Sequence, residues 1–151
     1  MPDIPTPSTP LTGQCLCGAV RITIEQPRSG IDVCHCRMCQ RWGGGPFFSL
    51  HSVKQAAMAI EGAEHVTAYR SSEWAERAFC KTCGSNLYYH FIPGEHFSFM
   101  AGLFELPEDW GIDEQIFVDE QPAWAQLAAD SPRKTGAEVI EEAKTAGYDF
   151  D

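Results

Sequence analysis

The seven cysteines of this chain fall in three short runs: Cys15-Leu16-Cys17, Cys34-His35-Cys36-Arg37-Met38-Cys39 and Cys80-Lys81-Thr82-Cys83. A chain that used cysteine as a small core hydrophobe would scatter it, whereas gaps of two and three residues make the sulfurs converge. Converging thiolates suit metal ligation, and tetrahedral zinc takes sulfur at about 2.3 Å. Residues two apart on a regular strand sit about 7 Å apart. Cys15 and Cys17 therefore need a tight turn, and Gly18 supplies its backbone freedom. Cys80 to Cys83 reads as a knuckle that wraps an ion, again followed by a glycine, Gly84. The middle run holds three thiols close enough to reach one ion.

Seven ligands divide as four plus three. A four-thiolate site is closed and structural; a three-thiolate site keeps one position open for chemistry. Spacing permits two divisions. One joins Cys36 and Cys39 to Cys80 and Cys83 as a zinc ribbon and leaves Cys15, Cys17 and Cys34. The other joins Cys15 and Cys17 to Cys80 and Cys83 and leaves Cys34, Cys36 and Cys39; it is preferred because it keeps the most local trio together. Two purely structural ions would need His35 or another side chain as the missing ligand. A dithiol redox reading of Cys80 and Cys83 lacks the βαβ pattern or helix start that such motifs have.

The elements that must position these runs are mostly strands. Between Ala19 and Glu25, Val20, Ile22 and Ile24 alternate with Arg21, Thr23 and Glu25, which predicts a half-buried strand ended by the turn from Pro27 to Gly30. Gly43 to Pro46 reads as a loop, followed by an aromatic strand around Phe47, Phe48 and Leu50. Further short strands are predicted at His65–Arg70, Trp74–Phe79, Asn86–Ile92, around Phe97 and Phe99, and at Ile116–Val118. Only the C-terminal tail reads as helix, with Thr135 and Glu138 as a capping box, Val139, Ile140 and Ala143 as its apolar face and Gly147 as its stop. The class is mainly β.

Composition narrows the function. A chain of 151 residues, 44% hydrophobic, fits one domain. Its formal charge of −10 repels phosphates and anionic lipid, which argues against nucleic acid and membrane surfaces as partners. No apolar run approaches the roughly 18 residues that span a bilayer. The N-terminus lacks the basic-then-apolar layout of a signal peptide, so a cytoplasmic location with reduced thiols is expected. An odd number of cysteines also cannot form a complete disulfide framework.

Three stretches, Gly13-Gln14-Cys15-Leu16-Cys17-Gly18-Ala19-Val20-Arg21, Cys34-His35-Cys36-Arg37-Met38-Cys39-Gln40-Arg41-Trp42 and Phe79-Cys80-Lys81-Thr82-Cys83-Gly84-Ser85-Asn86-Leu87, strongly resemble the glutathione-dependent formaldehyde-activating enzyme family, also called the centromere-protein-V/GFA domain. The resemblance runs from about Leu11 to Leu127, with Ile116-Phe117-Val118 and Trp124 similar to the family's closing strand. It implies a β-tent fold of short antiparallel strands with zinc knuckles and two zinc ions. Cys15, Cys17, Cys80 and Cys83 would hold the structural ion, and Cys34, Cys36 and Cys39 the second. It also implies a carbon–sulfur lyase that adds formaldehyde to glutathione or reverses that step. The organisation expected is a lead-in over 1–10, a zinc-binding domain over 11–127 and an extension with a short helix over 128–151.

Three thiolates leave a divalent ion with a net charge of −1 and make it a weak Lewis acid. A soft thiol then suits the fourth position better than ionised water. The expected substrate is a small thiol of the glutathione kind, whose sulfur adds to, or leaves, a small carbonyl carbon. Arg37 and Arg41 are the candidates to meet its carboxylates. His35 is read as a hydrogen-bonding support for the ligands rather than as an acid or base. The second zinc, with three ligands, is expected to be the more labile. The rival reading is a zinc-stabilised binding module without catalysis, distinguished by a protein side chain closing the fourth position.

Overall fold

The computed structural model describes residues 9–128 and 130–150. The lead-in expected over 1–10 falls, apart from Thr9 and Pro10, outside them. In chain order the elements begin with β1 (Leu11–Gln14), β2 (Arg21–Ile24), β3 (Ile31–Cys34), helix α1 (Arg37–Gly43) and β4 (Phe47–Leu50). Then come β5 (Val53–Lys54), β6 (Met58–Glu61), β7 (Val66–Arg70), β8 (Ala75–Cys80), β9 (Asn86–Phe91) and β10 (His96–Phe99). β11 (Ile112–Ile116), β12 (Arg133–Lys134) and helix α2 (Gly136–Thr145) complete the chain. The protein is mainly β with a short C-terminal helix, as the sequence predicts. Among the described residues no helix is long and apolar enough to cross a membrane.

The chain divides into two compact units, Met1–Ser29 with Leu50–Trp110, and Gly30–Ser49 with Gly111–Asp151. The first is built from two antiparallel sheets, ordered β1-β2-β6 and β5-β10-β9-β8-β7. The alternation read from Ala19 to Glu25 places Ile22 and Ile24 of β2, with Val20 just before it, in the core. The β1–β2 hairpin, in register from Leu11↔Ile24 to Gln14↔Arg21, carries the first cysteine turn at its tip. The β8–β9 hairpin carries the Cys80–Cys83 knuckle in the same way. Tyr88 lies 5.2 Å from Phe97 and 5.6 Å from Phe99 between ring centroids, tilted or edge-on, the arrangement that ring quadrupoles favour.

The second unit is a four-stranded sheet ordered β12-β11-β3-β4. Its β11 runs parallel to both β3 and β12, unlike the antiparallel pairs in the sheets of the first unit. Parallel neighbours need a long connection, and between β3 and β11 the chain makes the whole stretch Leu50–Trp110. The strand expected at Ile116–Val118 lies earlier, because Phe117 turns into the left-handed region at φ 56° and Val118–Glu120 forms a 3-10 turn. β12 and α2, in the stretch expected as an extension, belong to this unit.

The two helices show what periodicity can and cannot reveal. α2 has both halves of the capping box read from Thr135 and Glu138, and the Gly136 amide also donates to Asp119 Oδ1 at 2.6 Å. α1 was not anticipated from the sequence. It is about two turns long and bears a cysteine, and its cap is a sulfur: Cys36 Sγ accepts from the Cys39 amide at 3.3 Å. That bond takes up one of the orphan amides of a helix start, but cysteine is not among the residues that signal one.

Candidate metal centre

Within the first unit the fold brings Cys15, Cys17, Cys80 and Cys83 together, with all four Sγ atoms within 4.8 Å of one another. The pairs Cys15–Cys17 and Cys17–Cys80 are 3.6 and 3.9 Å apart. Four sulfurs at about 2.3 Å from a central ion would be separated by about 3.8 Å, so the spacing fits a tetrahedral tetrathiolate site. It excludes disulfides, which need about 2.05 Å, and all seven cysteines are free. The turns that hold them are the two anticipated glycine turns. Gly18 (φ 80°) returns its amide to the Cys15 carbonyl at 3.1 Å, and Gly84 (φ 81°) to the Cys80 carbonyl at 2.7 Å. Polar hydrogens also converge on the sulfurs: the Val20 amide donates to Cys15 Sγ at 3.3 Å.

Ser85 ties the two turns together, a role that sequence spacing does not reveal. Its hydroxyl accepts from the Leu16 amide at 3.0 Å and lies 3.2 Å from Cys83 Sγ. The Ser85 hydroxyl, followed by its backbone amide, holds the Cys83 thiol down to about 5. The only available signal was its place directly after the knuckle glycine.

Within the second unit Cys34, Cys36 and Cys39 form the other cluster, their Sγ atoms also within 4.8 Å of one another. Cys34 ends β3, Cys36 caps α1 and Cys39 lies in its first turn. Among the described residues no fourth His, Cys, Asp or Glu donor joins this group. Without a cation three such sulfurs cannot all ionise. Hydrogen bonding to Cys36 and Cys39, then burial and their charges, pushes the Cys34 thiol far above its ordinary range. A bound cation inverts that logic by stabilising the thiolates. The all-sulfur donor sets of both clusters can hold metal ions and are consistent with zinc.

Buried amides and the imidazole frame the three-thiol cluster. His35, between two of its cysteines, is fully buried, and its Nε2 lies 2.9 Å from Gln115 Oε1. Gln40, on the buried side of α1, donates through Nε2 to the His35 carbonyl at 2.7 Å and the Glu120 carbonyl at 2.9 Å. Its Oε1 accepts from Arg37 Nη1 at 2.9 Å. The Arg37 amide donates to Glu120 Oε1 at 3.1 Å. Arg37 and Arg41 are both exposed on α1. Sequence reasoning missed Gln40 and Gln115, because a buried glutamine has no spacing signature and becomes visible only when its partners surround it.

The profile of the family described as glutathione-dependent formaldehyde-activating enzyme matches residues 10–120, which includes all seven cysteines. The chain belongs to this family. Among its relatives is a Schizosaccharomyces pombe protein (strain 972 / ATCC 24843) named "Uncharacterized lyase C29B12.13". The two are 34% identical over 131 residues, covering 85% of this chain and 93% of the yeast protein. A crystal structure of a Rhodobacter sphaeroides protein is 24% identical, with a TM-score of 0.55, and the match covers 67% of this chain and 98% of that one. That likeness shows a shared fold. As a family member the chain is a GFA-type, glutathione-related enzyme in its general class.

Proposed function

We propose that this GFA family member is a zinc-dependent carbon–sulfur lyase that joins or separates glutathione and formaldehyde, or a thiol and carbonyl of similar size. One observation carries the reading: Cys34, Cys36 and Cys39 converge, and among the described residues no fourth His, Cys, Asp or Glu completes the set. In this reading Cys15, Cys17, Cys80 and Cys83 hold a zinc ion that fastens the fold, and Cys34, Cys36 and Cys39 hold a second, more exchangeable one. When bound there, zinc supplies a soft cationic centre that favours the thiolate form of an incoming thiol.

The reaction balances without a further reagent. The thiol sulfur bonds to the carbonyl carbon, and the proton it gives up ends on the carbonyl oxygen, now a hydroxyl. The lyase direction reverses both transfers. Arg37 and Arg41 meet the substrate carboxylates, a task for fixed guanidinium groups. They matter because the chain's net charge of −10 offers no long-range attraction to an anionic thiol. The bond from Arg37 to Gln40 Oε1 holds that guanidinium against α1. Buried His35 supports the turn that carries Cys34 and Cys36. The cytoplasm, rich in reduced thiol, is the setting this chemistry needs.

The test combines metal content with exchange spectroscopy of 13C-formaldehyde and glutathione. The unmodified protein is expected to carry two zinc ions per chain and to accelerate exchange between free aldehyde and thiol adduct. Cys39→Ser is expected to keep one ion and lose the acceleration. A two-zinc protein that leaves the exchange at its buffer rate, or a Cys39→Ser protein that retains full acceleration, refutes the reading.

A further inference from the structure

Gln115 lies in β11 and is fully buried, yet every polar atom of its side chain is used. Its Oε1 accepts from Arg133 Nη1 at 3.1 Å and faces His35 Nε2 at 2.9 Å; its Nε2 donates to Ser131 Oγ at 3.3 Å. Arg133 has a second anchor, donating from Nη2 to Gln121 Oε1 at 2.6 Å. An arginine can only donate. It therefore decides which end of the Gln115 amide faces it, and that end must be the oxygen. The same oxygen faces His35, so His35 must donate through Nε2 and carry its lone pair on Nδ1. Consistent with that, Nδ1 is buried and has no hydrogen-bond partner among the described residues. The backbone supports the same join: the His35 amide donates to the Ile116 carbonyl at 3.0 Å and the Gln115 amide to the Pro132 carbonyl at 2.8 Å.

We propose that Arg133 and Gln115 are positioning residues for the three-thiol cluster, setting the tautomer and orientation of His35 and thereby the turn that places Cys34 and Cys36. The inference rests on the metal-binding reading of that cluster. Ser131 and Arg133 lie beyond residues 10–120, so this chain braces its cluster with a segment outside the family match. Partners that orient residues around a metal site typically change metal affinity by about 10–100-fold when removed. The four-thiol cluster, in the other unit, provides an internal control.

Two measurements on the full chain test this. Arg133 is exposed, so Arg133→Ala should leave the fold intact; Gln115→Met is the stronger perturbation. In the protein as purified, at about pH 8, imidazole 15N spectra should show His35 as the Nε2–H tautomer alone. In Arg133→Ala a second tautomer should appear, because the Gln115 amide is then free to turn over. In cobalt(II) titrations against a competing chelator, with the three-thiol bands assigned by their loss in Cys39→Ser, Arg133→Ala should weaken that class about tenfold and leave the four-thiol class within twofold. A single unchanged tautomer with unchanged cobalt affinity overturns the proposal, and so does equal weakening of both classes. If the unmodified trio takes no cobalt while the tautomer responds as expected, the zinc reading of the trio falls and the control of His35 by Arg133 and Gln115 stands.

Discussion

Gln40→Met removes a side chain's hydrogen bonds while nearly preserving its volume. Gln40 links α1 to two backbone carbonyls, those of His35 and Glu120, at 2.7 and 2.9 Å. Each such bond contributes about 1 kcal/mol net, and a buried acceptor left without a partner costs about 1–2 kcal/mol more. The Arg37 contact involves an exposed side chain and adds little. The sum is about 3–4 kcal/mol, which for a chain of this size lowers the melting temperature by roughly 10 °C. Because the His35 carbonyl lies between two cysteines of the trio, the same change should release metal from that cluster first. Circular-dichroism melts and zinc content after dialysis read both effects. A melting shift below about 2 °C, with zinc retained, would mean that the carbonyls find other partners and that the glutamine does not anchor the turn.

Chelation should act on the four-thiol cluster most strongly, because a closed thiolate site contributes on the order of 10 kcal/mol to folding; a strong chelator should therefore lower the melting temperature by well over 10 °C, and a small shift would deny that cluster its fastening role. In the metal-free protein Cys83 and Cys17 give opposite pH slopes. Cys83, held down to about 5 by Ser85 from an ordinary 9.0, contributes stability that is full above pH 9 and is lost as the pH falls through 5. For Cys17 the Ala19 amide lowers the thiol pKa, but partial desolvation and the neighbouring sulfurs outweigh it and push it up to about 11, so its contribution is full below 9.0 and lost as the pH rises through 11. The melting temperature of metal-free protein should rise from pH 5 toward 9, and Ser85→Ala should flatten that limb; an unchanged slope refutes the role given to the hydroxyl. Thr135→Ala should cost about 1 kcal/mol through loss of the α2 cap, measured as a lower urea midpoint with faster amide exchange confined to Gly136–Thr145.

Where local rules dominate, the sequence was legible. The alternation at Val20, Ile22 and Ile24, the glycine turns after Cys17 and Cys83, and the Thr135–Glu138 capping box each involve residues within a few positions of one another, so their physics is written in short spacings. Helix α1 escaped because its cap is a cysteine sulfur and its seven residues are too few to show a period. The strand expected at Ile116–Val118 was misplaced because the left-handed turn at Phe117 has no sequence signal in a non-glycine residue.

From the residues alone came the chemistry available to this protein: seven thiols in three runs, too clustered for a core and odd in number for disulfides, together with a family resemblance. Spacing left two divisions of those thiols open. Tertiary structure set the grouping, because the β1–β2 and β8–β9 hairpins bring Cys15 and Cys17 to Cys80 and Cys83, a convergence that no local rule encodes. It also supplied the buried glutamines, since Gln40 and Gln115 acquire meaning only when strands and helices from distant parts of the chain surround them with carbonyls, an imidazole and a guanidinium. Short-range forces fix turns and caps. Long-range packing decides which polar groups lose water together and must therefore satisfy one another.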